Sequence, residues 1–108
     1  MTGKREETNV PDQALYLMNN AFVLEQAEAM ATRVYKGAET NRDRVANAFR
    51  IAFARSASNK DIDNALAFLR NFVIRSGADS QNRQKIERLA FVTFCQSLMI
   101  SAEFRYIN

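Results

Sequence analysis

Apolar residues recur along most of this chain at intervals of three and four positions. An α-helix has 3.6 residues per turn, so this spacing places apolar side chains on one helix face. Pro11 suits a first helical turn, where its missing N–H would have no partner, and Gly37 suits a helix end. The pattern therefore predicts a first helix over residues 11–36, bent at Asn19-Asn20. Its repeating positions are Leu15, Met18, Phe22, Gln26 and Met30.

Two further helices are marked by residues that cap helix starts. Thr40 precedes Asp43 by three positions, and Ser58 precedes Asp61 by the same interval. A hydroxyl at the first of these positions can accept from the backbone N–H three residues later, and the acid can reach back. We therefore predict a second helix after Thr40 and a third after Ser58, which Gly77 ends. Their repeating positions are Val45, Phe49, Ala52 and Phe53, then Ile62, Leu66, Leu69 and Val73.

The fourth predicted helix covers residues 81–100, with Ser80 as its cap. Its later half, LAFVTFCQSLMI, is apolar on almost every side. A helix of this kind is typically covered by neighbours on several sides, so we expect it to be central. The tail SAEFRYIN is expected to add a short turn that folds Phe104 and Tyr106 onto the core.

These segments predict an all-α fold, a compact bundle of about four main helices with short connections. Residues 1–9 are expected to be a flexible segment, and residues 10–108 a single helical domain. A domain of this size buries enough apolar surface to fold without disulfides. The core is expected to include Leu15, Phe22, Phe49, Phe53, Leu66, Leu69, Phe72, Leu89 and Leu98.

Charge and hydropathy limit the expected partners. The chain has 15 basic and 12 acidic residues, a net charge of +3, and the two signs are interleaved. Nucleic-acid binders concentrate basic residues in a stripe, so nucleic acid is not the expected partner. A DNA-binding helical domain stays an alternative, and it would require Arg42, Arg44, Lys60 and Arg70 on one face. No apolar run reaches the length of a membrane span, so none is expected.

Several chemistries lack the residues that they need. The chain contains no histidine and one cysteine, Cys95. This composition excludes histidine-containing triads and the usual zinc sites. The segment DIDN at residues 61–64 resembles the start of a calcium loop but lacks its glycine and closing glutamate, so a helix start explains its acids better. We expect no cofactor, no metal and no catalysis by this chain alone, and a buried, inert Cys95 thiol.

The densest basic group comprises Arg42, Arg44, Arg50 and Arg55. Spacings of six and five positions prevent the last three from sharing one helix face. We therefore expect surface charge with at most one structural ion pair. Arg55 is the best candidate for it, because it follows a helix whose last carbonyls need donors.

Three segments carry a family resemblance: REETNVPDQALYLMNNAFV, RVANAFRIAFAR and FCQSLMISAEFRYIN. They resemble the motifs Arg-x-x-Thr-Asn-x-Pro-x-Gln-Ala-Leu, Phe-Arg-x-Ala-Leu-x-Arg and Ser-x-Glu-Phe-x-Tyr of a recurrent C-terminal domain of unknown function in large planctomycete proteins. The resemblance covers about residues 4–108. It departs at Phe91, where tryptophan is frequent, and at Asn108, where aspartate is usual.

The resemblance implies a position at the end of a larger parent chain. Such parents are often exported and carry a cytochrome-like domain upstream, which implies an exported or cell-envelope protein. No activity and no catalytic residues come with the family. The resemblance therefore implies an excised C-terminal module.

The amides of the front motif have two interpretations. In the first, Asn9 and Gln13 tie the incoming chain to the first helical turn, and Asn19-Asn20 marks a bend. In the second, a polar pocket binds upstream domains, and its residues are Asn9, Gln13, Asn19, Arg55 and Glu103.

Two functions from different classes follow. The first is a non-catalytic module that docks onto upstream domains or another protein, and self-association of the isolated chain is one expected consequence. The second is a contribution of Arg50, Arg55 or Glu103 to an enzyme site completed by upstream domains.

Overall fold

A computed structural model describes the backbone of residues 20–107 and the side chains of residues 20–101. Four helices form this part of the chain: α1 (Ala21–Gly37), α2 (Asn41–Phe53), α3 (Asn59–Arg75) and α4 (Arg83–Ile107). The described residues contain no strand. The predicted all-α bundle of four helices is therefore confirmed.

The helix that the sequence pattern predicted over residues 11–36 is interrupted at Asn20. Asn20 has an extended backbone, and its side-chain oxygen accepts from the N–H groups of Phe22 at 2.8 Å and Val23 at 3.4 Å. An asparagine in this role satisfies backbone donors that have no partner within the helix. The prediction of one helix over residues 11–36 is therefore wrong at Asn20, and residues 11–19 lie outside the described part.

The predicted caps of the second and third helices are confirmed. The hydroxyl of Thr40 accepts from the N–H of Asp43 at 3.2 Å. Ser58 and Asp61 form a complete reciprocal cap, with the Asp61 N–H donating to the Ser58 hydroxyl at 3.0 Å and the Ser58 N–H donating to the Asp61 carboxylate at 3.1 Å. Each such cap contributes about 1 kcal/mol to helix stability.

Asp79, and not Ser80, caps the turn that leads into α4. The Asp79 carboxylate accepts from the N–H groups of Gln81 at 2.9 Å and Asn82 at 3.0 Å, and the Asp79 N–H donates to the Asn82 side chain at 2.7 Å. Asp79 and Asn82 thus form a reciprocal cap of the same kind as Ser58 and Asp61 at the start of α3.

The end of α4 also differs from the prediction. The helix continues to Ile107, so no short turn follows residue 100. The side chains of Phe104 and Tyr106 lie outside the described part of the chain, so their packing on the core stays a prediction.

Two helices of the described part are followed by a residue with positive φ. The predicted helix end at Gly37 has a different geometry. Gly77 follows α3 with φ of 69°, as predicted. Ala54 follows α2 with φ of 55°, and its N–H donates to the carbonyl of Arg50 at 2.9 Å. Gly37 is the last residue of α1, but the extended Ala38 after it makes the turn.

α4 is the central helix, as its apolar composition predicted. It packs against each of α1, α2 and α3, whereas α1 and α3 do not touch within the described residues. Phe91 packs edge-on against Phe94 at 5.6 Å between ring centroids and against Tyr35 at 5.5 Å. The buried residues of α4 are Ala90, Phe91, Val92, Phe94, Cys95, Leu98 and Ile100.

The predicted core is correct in α2 and α3 and wrong at two large residues. Phe22 is 66% exposed and Leu89 is 53% exposed. The buried face of α1 is shifted by one position from the predicted apolar stripe, so Phe22 faces solvent. The buried residues of α1 are Val23, Ala27, Met30, Ala31 and Val34. Phe49, Leu69 and Leu98 are buried, while Phe53, Leu66 and Phe72 are partly buried against the core. Leu15 lies outside the described residues.

Candidate docking groove

The structure describes one side chain of the predicted polar pocket. Asn9, Gln13 and Asn19 lie outside the described residues, and the side chain of Glu103 does too. The convergence of these residues with Arg55 therefore stays a prediction.

Arg55 joins the end of α2 to the start of α3. Its Nη1 donates to the carbonyl of Ser56 at 3.0 Å and to the carboxylate of Asp61 at 3.2 Å. The guanidinium carbon also lies 5.5 Å from the ring centroid of Phe49 and 5.4 Å from that of Phe53, within cation–π range. The described contacts thus give Arg55 a structural role.

Hydrogen bonds and charge at this junction lower the pKa of the Asp61 carboxyl below its usual value. The backbone N–H of Ser58 is the main cause, followed by the hydrogen bond from Arg55. Both favour the ionised carboxylate.

The other arginines of the basic group make exposed contacts. Arg42 lies 3.6 Å from the carboxylate of Asp63, so this group makes two ion pairs with described residues, of which the Arg55 pair is the structural one. The Arg42 pair is exposed on both sides, and exposed pairs contribute little to stability. Arg50 donates to the side chain of Asn47 at 2.9 Å.

Cys95 is fully buried, as predicted. Burial raises the pKa of its thiol to about 12, although the charge of Arg88 opposes this change. The thiolate is therefore disfavoured, and with it the nucleophilic form. Among the described residues there is no group of acidic or cysteine side chains able to hold a metal. None of the described helices is long and apolar enough to cross a membrane.

A groove runs between α1 and α2 and reaches α4. It consists of two depressions of about 350 Å³ and 550 Å³ that share Arg33 and Ile51. We call it the α1–α2 groove; its lining residues are Gln26, Ala29, Met30, Arg33, Val34, Gly37, Asn47, Arg50, Ile51, Ala52 and Met99.

Small residues on facing positions keep this groove open. Ala29 and Gly37 on α1 have short or absent side chains, and so does Ala52 on α2. A β-carbon added to Gly37 would meet only the side chain of Asn47, at 3.9 Å. Ile51 is 37% exposed inside the groove, so an apolar side chain faces solvent there.

Two arginines give the groove a positive edge. Arg33 belongs to α1 and Arg50 to α2, and both are exposed. Neither has a carboxylate within ion-pair distance among the described residues. The groove therefore combines an apolar floor with two cations that no described carboxylate neutralises.

Sequence reasoning did not identify this groove. Arg33 follows Glu25 and Glu28 along α1, a pattern that is typical of a solvated surface, and Ile51 lies off the apolar stripe of α2. The one available signal was Ile51 itself, a large apolar residue among the polar positions of its helix.

These features define a small helical-bundle domain with an apolar groove on its surface. The chain belongs to the PSD1 family, described as a protein of unknown function (DUF1553), whose sequence model matches residues 1–69. The match ends at Leu69, inside α3. Neither the curated proteins nor the solved structures include a match to this chain.

Proposed function

We propose that this chain is a non-catalytic docking module, which binds a segment of another domain in the α1–α2 groove. The observation that carries the proposal is the exposed Ile51, which shares the groove with Arg33 and Arg50, two arginines that make no ion pair with a described residue. An apolar side chain in a concave site gains free energy when a partner covers it. Cations at the edge of such a site select partners with complementary charge.

The partner that fits this groove is an amphipathic helical segment with carboxylates beside its apolar face. Its apolar side chains would cover Ile51 and Met30, and its acids would pair with Arg33 and Arg50. In keeping with the family resemblance, we place this segment in the upstream domains of a larger planctomycete parent chain, of which this module is the C-terminal part.

A shared enzyme site is the alternative, since Arg50 also lines the groove. The structural contacts of Arg55 with Asp61 and Ser56 favour the docking proposal over it. In the assembled parent, Arg50→Gln would abolish turnover if this residue acted on a substrate, and would leave turnover unchanged if it only docked.

The test is a binding titration of this chain against the separately produced upstream portion of its reading frame. We expect saturable binding that Ile51→Glu weakens by about tenfold or more, because the new charge would be buried against apolar atoms. Arg50→Glu should weaken it too, through charge repulsion.

Ile74→Glu is the matched control. Ile74 is 69% exposed on α3, outside the groove, so the same substitution there should leave binding unchanged. A reading frame with no upstream portion, or binding that ignores both groove variants, would contradict the proposal. Self-association that Ile51→Glu abolishes would replace the upstream partner by a second copy of this chain.

A further inference from the structure

A second concave site lies on another part of the molecule, around Tyr35. It has a volume of about 570 Å³, and its lining residues are Tyr35, Glu39, Asn41, Arg44, Gln84, Glu87 and Arg88. We call it the Tyr35 cleft. It brings together the end of α1, the start of α2 and the first turns of α4.

Two guanidinium groups lie against the ring of Tyr35. The guanidinium carbon of Arg44 is 4.0 Å from the ring centroid, and that of Arg88 is 5.2 Å away. The same ring packs edge-on against Phe91 at 5.5 Å, which fixes it to the core. Both cations thus lie within cation–π range of the same ring.

Hydrogen bonds orient both arginines and leave donors for a ligand. Arg44 donates through Nε to the carbonyl of Ala38 at 3.0 Å and through Nη1 to Asn41 at 3.1 Å. Arg88 donates through Nη2 to the hydroxyl of Thr32 at 2.6 Å. The Nη2 group of Arg44 and the Nε and Nη1 groups of Arg88 have no acceptor among the described residues. Each of these remaining donors can make a charge-assisted hydrogen bond to an oxyanion.

The carboxylates of the cleft do not neutralise these arginines. No carboxylate lies within 4 Å of Arg44 or Arg88 in the part of the chain that the structure describes. Glu87 pairs instead with Arg83, at 3.0 Å. Glu39 is the other acid of the lining, and it makes no ion pair with a described residue.

A groove of about 470 Å³ with a mixed apolar and charged lining continues from the Tyr35 cleft between α3 and α4. The two sites share Asn41 and Glu87. Leu66 and Ile74 supply accessible apolar surface in this second part, and Arg70 and Arg83 also line it. A ligand seated across both parts would place its oxyanion in the Tyr35 cleft and its apolar body against this apolar surface.

We propose that the Tyr35 cleft binds a small molecule that carries an oxyanion, a carboxylate or a phosphate, on an apolar body. Arg44 and Arg88 bind the oxyanion, and the adjoining groove accepts the apolar body. This site is separate from the docking groove and does not depend on it. The two possible oxyanions share the same chemistry, and the experiment distinguishes them.

The test is an NMR titration of the wild-type chain that follows the Nε–H signals of its arginines. The probes are phenyl phosphate and phenylacetate, with benzyl alcohol as the uncharged control and inorganic phosphate as the oxyanion without an apolar body. We expect saturable shifts at Arg44 and Arg88 with one of the two aryl anions, weaker binding of inorganic phosphate and none of benzyl alcohol. Shifts that fail to saturate, or that affect the exposed Arg75 equally, would overturn the proposal.

Variants test whether anion binding depends on the Tyr35 cleft or only on the positive charge of the chain. Arg44→Gln and Arg88→Gln should each weaken binding of the preferred aryl anion by about tenfold, because each removes a charge-assisted hydrogen bond. Arg75→Gln is the matched control, since Arg75 lines neither part of the cleft and should leave the affinity unchanged. Arg44→Lys keeps the charge but loses the guanidinium group that the hydrogen bonds to Ala38 and Asn41 orient, so it should bind more weakly than the wild type. If either glutamine variant fails to fold, the wild-type titration still decides the outcome.

Discussion

Nη1 of Arg55 lies 3.2 Å from Oδ2 of Asp61, and this contact joins the end of α2 to the first turn of α3. The same carboxylate caps α3 through the N–H of Ser58. One ionised side chain therefore holds a helix start and the connection before it. Its charge state is expected to affect the stability of the fold.

The first prediction concerns acid stability. The pKa of Asp61 is lower in the folded chain than in the unfolded one, so its stabilising contribution is present above about pH 4 and is lost as the pH falls through the folded pKa. Urea unfolding at pH 7 and pH 3 should show a smaller loss of stability for Asp61→Asn than for the wild type, because the amide does not titrate. Equal losses in the two proteins would contradict the role of this carboxylate.

The second prediction concerns the core of the bundle. Phe91 is 1% exposed and packs against Phe94 and Tyr35, so Phe91→Ala should lower the free energy of unfolding by about 3–5 kcal/mol. Phe22→Ala is the control, because Phe22 is 66% exposed; its effect should stay within about 0.5 kcal/mol. Chemical denaturation measures both. A large effect at Phe22 would mean that another part of the protein covers it.

The third prediction concerns the backbone after α2. Ala54 has φ of 55°, a conformation that costs a residue with a β-carbon about 1–2 kcal/mol. Ala54→Gly should therefore stabilise the fold by about 0.5–1 kcal/mol, after the greater freedom of glycine in the unfolded chain is subtracted. Ala38→Gly should destabilise it, since Ala38 is already extended. If thermal unfolding showed Ala38→Gly to be more stable than Ala54→Gly, the proposed backbone strain at Ala54 would be refuted.

The fourth prediction concerns the thiol. Cys95 is fully buried and its pKa is raised to about 12, so a thiol reagent at pH 8 should not label the folded chain. Labelling should become complete in urea. In a Cys95→Ala background, Ser97→Cys supplies the control, because position 97 is exposed and should react at once. Fast labelling of wild-type Cys95 without urea would show that α4 opens readily.

Local signals in the sequence predicted much of this fold. Ser58 and Asp61 lie three positions apart and cap α3 through neighbouring atoms, so their pattern needs no knowledge of the rest of the chain. The apolar run around Cys95 likewise predicted the central helix. Ser80 failed as a cap because Asp79, one residue earlier, has a stronger acceptor.

Relationships between helices were not readable from the sequence. Phe22 and Leu89 fit apolar spacing but lie off the faces that neighbouring helices cover. The α1–α2 groove depends on which small residues face each other, and the Tyr35 cleft brings α4 against the junction of α1 and α2, from which it is distant in the chain. Such arrangements depend on how the helices pack against each other, and the apolar periodicity of a single helix cannot predict them.

The central position of α4 also has a consequence for the order of events at the ribosome. α4 is synthesised last of the four helices, and it supplies the surface against which α1, α2 and α3 bury their apolar faces. Its contacts with α1 join residues that are far apart in the chain, and such contacts are slow to form. Until α4 emerges, the surfaces of α1, α2 and α3 that pack on it in the folded domain lack that cover, and in that interval the nascent chain is most exposed to aggregation and to chaperones.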